Sequence, residues 1–224
     1  MKTAKKKALV IVGAGEFARI AAEYFTKDSE YRVAGFSAER KFIKGPSLDG
    51  LPVAAFEDIV RKFPPKTHDV FVAVTFTAMN TARERLSLAA EKRGYKLARF
   101  VSSKSFVDST ARVGAGSFVY DLASVQPFAR VGKGAVIGSL CQIAHRAEIG
   151  DFAYLASSAT VGGFCRVGSR GFLGLNSTLA DRTALTGGAA LAAGAVLTRD
   201  ASKPHVYRGN PAEDSGVRAD ALFR

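Results

Sequence analysis

Tryptophan is absent from the 224 residues, cysteine and methionine occur twice each, and histidine occurs three times. The two cysteines, Cys141 and Cys165, both fall at a small, inward position of the repeat described below. They read as buried fillers rather than as a disulfide or metal pair, and a cytoplasmic protein is the simplest inference. No apolar run is long enough to span a membrane. Residues 8–12 follow basic residues and mimic a signal peptide, but the run is short and breaks at Gly13 and Glu16, so that reading is rejected. Acidic residues are scarce beside basic ones, 20 against 32, for a net charge of +12. Of this excess, +8 lies in residues 1–100 and +4 in residues 101–224. A basic chain can attract nucleic acid, anionic lipid or phosphate-bearing small molecules. No nucleic-acid module is visible. The cluster Lys2, Lys5, Lys6 and Lys7 reads as a solvated start rather than a binding arm. An apolar fraction of 47% is ample for a core and excludes a disordered chain.

What the sequence has instead is a period. From Val107 to Leu197 every sixth residue is aliphatic, sixteen times in succession. Four residues after each stands a small one, as at Ala123, Cys141 and Ala159, and glycine often follows the aliphatic directly, as at Gly132, Gly150 and Gly168. Period six fits neither a helix nor a two-sided strand; it is the hexapeptide repeat of a parallel β-helix. Each hexad is a short strand and a corner. The small residue and the next aliphatic share one face, and glycine in the corner is expected to ease the backbone geometry. Three hexads close a triangular coil, so the repeats make a little over five coils.

The first hundred residues alternate differently. An apolar strand over 8–12 runs into Gly13-Ala14-Gly15, and a helix over 16–27 follows, with Ile20, Ala21 and Tyr24 on one face. A strand over 31–36, a helix over 56–63, a strand over 69–75, a helix over 79–93 closed by Gly94 and a strand over 95–101 complete the pattern. Strand and helix in alternation predict a small, Rossmann-like parallel α/β domain. The chain is thereby divided into an α/β domain over 1–102, a β-helix over 103–202 and a C-terminal tail over 203–224. Gly13, Gly15 and Ala18 match G-x-G-x-x-A, and amides at a helix N-terminus favour an anion. Three readings stay open for this turn: a nucleotide or nucleotide-sugar site, an NAD site, and a purely structural turn. NAD wants an acid at the end of the second strand, where Ser37-Ala38-Glu39 puts Glu39 late, and the domain is about half of a full dinucleotide fold.

Among the histidines, His145 stands two residues after the inward Ile143, on a corner and facing away from the core. An imidazole there is suited to general-base work near neutral pH; a packing role and an idle surface histidine are the bland alternatives. Such a base needs a pocket, and grooves between prisms in a symmetric trimer would supply one.

The α/β half-domain with residues 13–15, the hexads with Ile143-Ala144-His145, the run Phe172-Leu173-Gly174-Leu175-Asn176 and the ending Tyr207-Arg208-Gly209-Asn210-Pro211-Ala212 together resemble the bacterial hexapeptide-repeat sugar acyltransferases. That family includes the UDP-amino-sugar N-acetyltransferases and the sialic acid O-acetyltransferases, and the resemblance covers nearly all of residues 8–212. It implies a left-handed β-helix, a cytoplasmic homotrimer, a nucleotide sugar held at Gly13, Ala14, Gly15, Ser37 and Glu39, and acetyl-CoA or another acyl-CoA as co-substrate. The coenzyme would lie along a groove with Tyr154, Gly163, Leu175, Asn176, Ala192 and Ala193. His145 would deprotonate the sugar amine or hydroxyl for direct attack on the thioester, with a corner-glycine amide at the oxyanion. No metal, nucleic acid or membrane is implied. Relatives follow the catalytic histidine with an acid; here Arg146 follows, a cation that would depress the imidazole pKa, and Glu148 is the candidate to orient it. The acidic pair after the second strand in UDP-sugar enzymes is Ala38-Glu39 here, which opens dTDP and GDP as alternatives. A non-sugar amine acceptor and an inactive nucleotide-sugar-binding scaffold are the competing functions. A three-histidine zinc site is disfavoured because His145 stands alone in the repeats.

Overall fold

The computed structural model describes residues 7–221; Lys2, Lys5 and Lys6 lie outside them. The chain forms two compact units. One takes the chain up to Thr75 with Arg85–Phe100, and the other takes Phe76–Glu84 with the chain from Val101 onward.

In the first unit, β1 (Lys7–Val12), β2 (Tyr31–Ala38), β4 (Leu51–Ala55) and β5 (His68–Val72) form a parallel sheet, edged by the short antiparallel β3 (Ser47–Leu48) in the order β3-β4-β2-β1-β5. Leu9, Val10, Ile11 and Val12 of the central β1 are all fully buried, which is why that strand reads as one continuous apolar run rather than an alternation. Helix α1 (Glu16–Lys27) buries Phe17, Ala18, Ala21 and Phe25. The buried stripe is thus rotated from the expected one. Ile20 is exposed, and Tyr24 packs edge-on to Phe100. The expected helix over 56–63 is a 3-10 turn, Phe56–Asp58, followed by the single turn α2 (Ile59–Lys62). The β3–β4 hairpin was not expected, since two-residue pairing around Pro52 leaves no alternation to read. Helix α3 (Thr81–Lys92) is followed by Gly94 at φ +88°, the left-handed stop that glycine accepts.

The second unit is a column of two-residue strands. Val125, Ile143, Val161, Leu179 and Leu197 pair in parallel, each with the residue eighteen positions on. Three hexads therefore make one turn, and three sheets of six, five and eight strands form the walls. The aliphatics from Val119 onward are buried, as are Ala123, Cys141, Ala159 and Cys165 between them, and both cysteines are free thiols.

The glycine directly after the aliphatic has a different reason from the expected one. Gly138, Gly150 and Gly174 do not lie at positive φ. A Cβ on Gly150 would stand 2.5 Å from the Ser169 nitrogen, and one on Gly138 would stand 2.6 Å from the Ser157 nitrogen. Glycine is there because the next coil passes too close for a side chain. The left-handed turn falls two residues later, and ten non-glycine residues adopt it, among them Leu140, Arg146, Phe152 and Phe164, with φ between 55° and 64°. That conformation costs an L-residue roughly 1–2 kcal/mol. A hydrogen bond across coils offsets it: Arg146 N–H donates to Pro127 O at 3.1 Å, Phe152 to Lys133 O at 2.7 Å and Arg170 to Asp151 O at 2.8 Å.

Residues 203–221 are integral to the column rather than a tail. His205–Arg208 pairs with the strand through Leu191, and Glu213–Arg218 pairs antiparallel with it. Ala212 N–H donates to Val196 O at 2.7 Å, and Ala201 bridges Leu185. Each of the three sheets is thereby covered at this end. Phe76–Glu84 also packs on the column. The fully buried Arg83 donates from Nε to Gly134 O at 2.9 Å and from Nη2 to Phe152 O at 2.7 Å, and Asn80 Nδ2 donates to Arg170 O at 3.0 Å. Burial pulls the Arg83 guanidinium down to about 10.

Candidate functional site

His145 is exposed on the corner that follows the strand Gln142–Ile143. Its imidazole lies over Gly163, one coil further on. A Cβ at Gly163 would stand 2.7 Å from Cε1 of the ring and 2.9 Å from Nε2. Phe164 meets the imidazole at 5.2 Å between centroids with the planes at 87°. The His145 carbonyl accepts the Phe164 N–H at 3.1 Å. The guanidinium of Arg182 covers Phe164 at 4.6 Å, and that of Arg146 covers Phe128 at 4.7 Å. Arg146 is thus turned back to the preceding coil, on an aromatic face that holds a cation favourably. Among the described residues, no side chain hydrogen-bonds the imidazole.

Glu148 does not orient His145. It lies on the next wall of the column and pairs with Arg166 at 3.6 Å, because the chain has turned a corner between positions 145 and 148. Gly163 donates its amide to Asp181 Oδ1 at 2.7 Å, so that N–H is occupied and the residue lies beneath the base rather than in the groove. The histidine paired with a carboxylate is His205, whose Nδ1 lies 2.9 Å from Asp214 Oδ1 in the last strands of the column.

A groove of about 620 Å³ opens on the eight-stranded wall and its following corner. Tyr154, Leu175, Ala192 and Ala193 line it. Asn176 does not; it is a left-handed corner residue at φ 55° whose amide donates to Ser157 O at 3.1 Å. One side of the groove is aromatic. Tyr154 stacks on Phe172 at 5.8 Å, and Phe76 meets both rings edge-on at 5.2 and 5.3 Å. Burial raises the Tyr154 phenol above its ordinary value, opposed by the nearby charge of Arg83. Phe76 was not legible as a groove residue: it sits outside the repeat, just before Ala78, Met79 and Asn80, all three at positive φ. His145 follows the six-stranded wall and the groove follows the eight-stranded one. Base and groove of one chain therefore occupy different edges of the column.

In the α/β unit, Gly13 has φ +145°, and a Cβ there would stand 2.5 Å from Ala73 O, so conformation and space both require glycine. Its amide donates to Ser37 O at 2.7 Å. Gly15 is the exposed N-cap of α1, with open space where a Cβ would be. Ser37 meets the turn through its carbonyl; its Oγ is fully buried with no hydrogen-bond partner among the described residues. Glu39 is held by Arg85 at 2.8 Å, so its carboxylate is committed to an ion pair. Among the described residues, no helix is long and apolar enough to cross a membrane, and no three His, Cys, Asp or Glu side chains are grouped to hold a metal ion.

No protein-family model matches the chain, and no curated protein matches it. Solved structures do. The acetyltransferase domain of PglB from Neisseria gonorrhoeae FA1090 in complex with acetyl coenzyme A is 25% identical at a TM-score of 0.83, covering 93% of this chain and 99% of that one. PerB from Caulobacter crescentus, in complex with CoA and GDP-perosamine, is 23% identical at a TM-score of 0.84, covering 93% and 97%. WeeI from Acinetobacter baumannii AYE is 21% identical at a TM-score of 0.74, covering 93% and 99%. The fold of this chain, an α/β unit followed by a hexapeptide-repeat β-helix, is the fold of these proteins.

Proposed function

We propose that this protein is an acyl-CoA-dependent N- or O-acyltransferase acting on a nucleotide-linked sugar. The observation that carries the reading is the exposed imidazole of His145, the one histidine of the hexads, seated over Gly163 on the edge of a column of this fold. The likeness to proteins bound to acetyl coenzyme A, or to CoA with GDP-perosamine, supports the choice of ligands. In this reading the coenzyme lies along the groove with Tyr154, Leu175, Ala192 and Ala193, and the amides of Ala14 and Gly15 at the head of α1 take up nucleotide phosphate, that of Gly13 being held by Ser37 O. His145 removes a proton from the acceptor amine or hydroxyl as it attacks the thioester carbonyl. The tetrahedral intermediate collapses with departure of the CoA thiolate, and no acyl-enzyme forms. An amide other than that of Gly163 must stabilise the oxyanion.

Because base and groove stand on different edges of one column, a single site combining them requires the groove of an adjacent copy. A homotrimer meets that requirement with one kind of contact repeated three times. Free cysteines and soluble co-substrates suit the cytoplasm.

The test is release of free CoA, detected with a thiol reagent, from acetyl-CoA and a panel of nucleotide amino sugars. His145→Asn is expected to lower turnover by about a hundredfold or more. Turnover untouched by that substitution removes the base assignment, and nucleotide-sugar binding without CoA release favours the scaffold reading. Light scattering at one chain mass rather than three removes the shared site.

A further inference from the structure

The imidazole of His145 has a defined seat although no carboxylate among the described residues holds it. Three features of the corner make that seat. The missing side chain of Gly163 leaves a shelf that a Cβ would fill, at 2.7 Å from Cε1 and 2.9 Å from Nε2. Phe164 stands across the ring at 5.2 Å and 87°, which fixes its tilt. Arg182 covers Phe164 at 4.6 Å and is anchored through its own backbone N–H, donated to Gly163 O at 2.9 Å. Four corner residues, Phe128, Arg146, Phe164 and Arg182, share the left-handed turn and lie at one-coil intervals. Along this edge ring and guanidinium alternate, and each arginine covers the ring of the coil before it. A side chain on such a turn projects from the corner, so the edge is a ladder of planar groups beside which the imidazole stands.

We infer that Phe164, braced by Arg182 above the Gly163 shelf, is the positioning residue for His145, replacing the acid that orients a general base elsewhere. This inference rests on the acyltransferase reading. It says what holds the base in place and assigns Arg146 no role at the imidazole. An acid next to a base both orients and charges it, whereas an aromatic edge orients only. The ladder therefore supplies direction without a hydrogen bond. Misplacing a catalytic group by about 1 Å can cost about a hundredfold in rate, so loss of the seat should be felt in kcat and not in coenzyme affinity.

The experiment compares Phe164→Leu, Phe164→Tyr, Gly163→Ala and the native chain in two measurements. In the CoA-release assay, Phe164→Leu and Gly163→Ala are expected to lower kcat by about ten- to a hundredfold at unchanged KM for acyl-CoA and unchanged melting temperature. Phe164→Tyr, which keeps the ring, is expected to recover most of it. In NMR spectra of protein labelled with carbon-13 at histidine Cε1, one of three signals vanishes in His145→Asn and so belongs to His145. That signal is expected to show cross-relaxation to the Gly163 α protons and to the Phe164 ring, and to move in Phe164→Leu. Native kcat in Phe164→Leu, or equal losses in the leucine and tyrosine variants, overturns the inference while the acyltransferase reading stands. If the native chain turns over no acceptor, that reading falls. The spectra then still decide the seat: a His145 signal without these contacts, unmoved by Phe164→Leu, overturns it too.

Discussion

The turns of the two units meet the left-handed angle in different ways. In the α/β unit, Gly13 is needed for its backbone angle as well as its size, at a turn that occurs once. In the column, Gly138, Gly150 and Gly174 have ordinary angles and are needed because the neighbouring coil lies against them, while the left-handed angle is taken by leucine, phenylalanine and arginine as well as by Gly116, Gly134, Gly188 and Gly194. A unique turn must be solved by the residue that sits in it. A repeated turn can draw on the hydrogen bond from the coil beneath, so almost any residue can be held there. The same contrast holds for the cores. Helix α1 buries an irregular set, Phe17, Ala18, Ala21 and Phe25, whereas the column repeats one aliphatic and one small residue per hexad.

The strongest way to break this comparison is to empty one rung. Leu155→Ala is expected to cost about 2–5 kcal/mol, read from the midpoint of urea unfolding. The thiol of Cys141, one small position of the same interior, reports on the event, because burial pushes it up to about 12. It should resist Ellman's reagent in the native protein and react as the column opens. Labelling of native protein at the rate of a free thiol would show that the coils are not closed. A smaller effect is expected from Gly150→Ala, which forces a Cβ onto the Ser169 nitrogen and should cost about 1–3 kcal/mol. The control in the α/β unit is Gly45→Ala, where the nearest atom to a new Cβ is 4.0 Å away, and a change within about 0.5 kcal/mol is expected. Equal losses at both positions would refute the close-approach account. A small effect of opposite sign is expected from Leu140→Gly. It relieves a left-handed leucine whose side chain is exposed and should raise stability by up to about 1 kcal/mol.

The column was legible in the sequence because its rule is one-dimensional: an aliphatic at every sixth position cannot be satisfied by any other fold. Strands β1, β2 and β5 were legible to within a few residues, since both-sided burial leaves an apolar run in 8–12 and 70–72, but of the strand expected over 95–101 only Phe100–Val101 forms. The β3–β4 hairpin, whose pairing spans two residues, left no such trace. At the candidate site, the placement of His145 on a corner followed from counting two residues beyond Ile143. Its surroundings could not be counted in that way. Gly163 and Phe164 lie beside it only because the coil is eighteen residues long, and that register places residues 145 and 163 together. Glu148 looks near in sequence, but a corner intervenes. Phe76 comes from outside the repeat and left no periodic mark.

The far end of the column has a consequence for how the protein behaves in company. A stack of coils is an unfinished object, and its last rung offers free amides and carbonyls on three sides to any similar rung that drifts past. Here residues 201–218 fold over that rung, pairing Val206 and Tyr207 with the wall above, setting Ala212 on Val196 and laying Ala201 on Leu185. Shortening the protein at about Asp200 would strip off that lid. Molecules ending there should add to one another head to tail and grow into fibres.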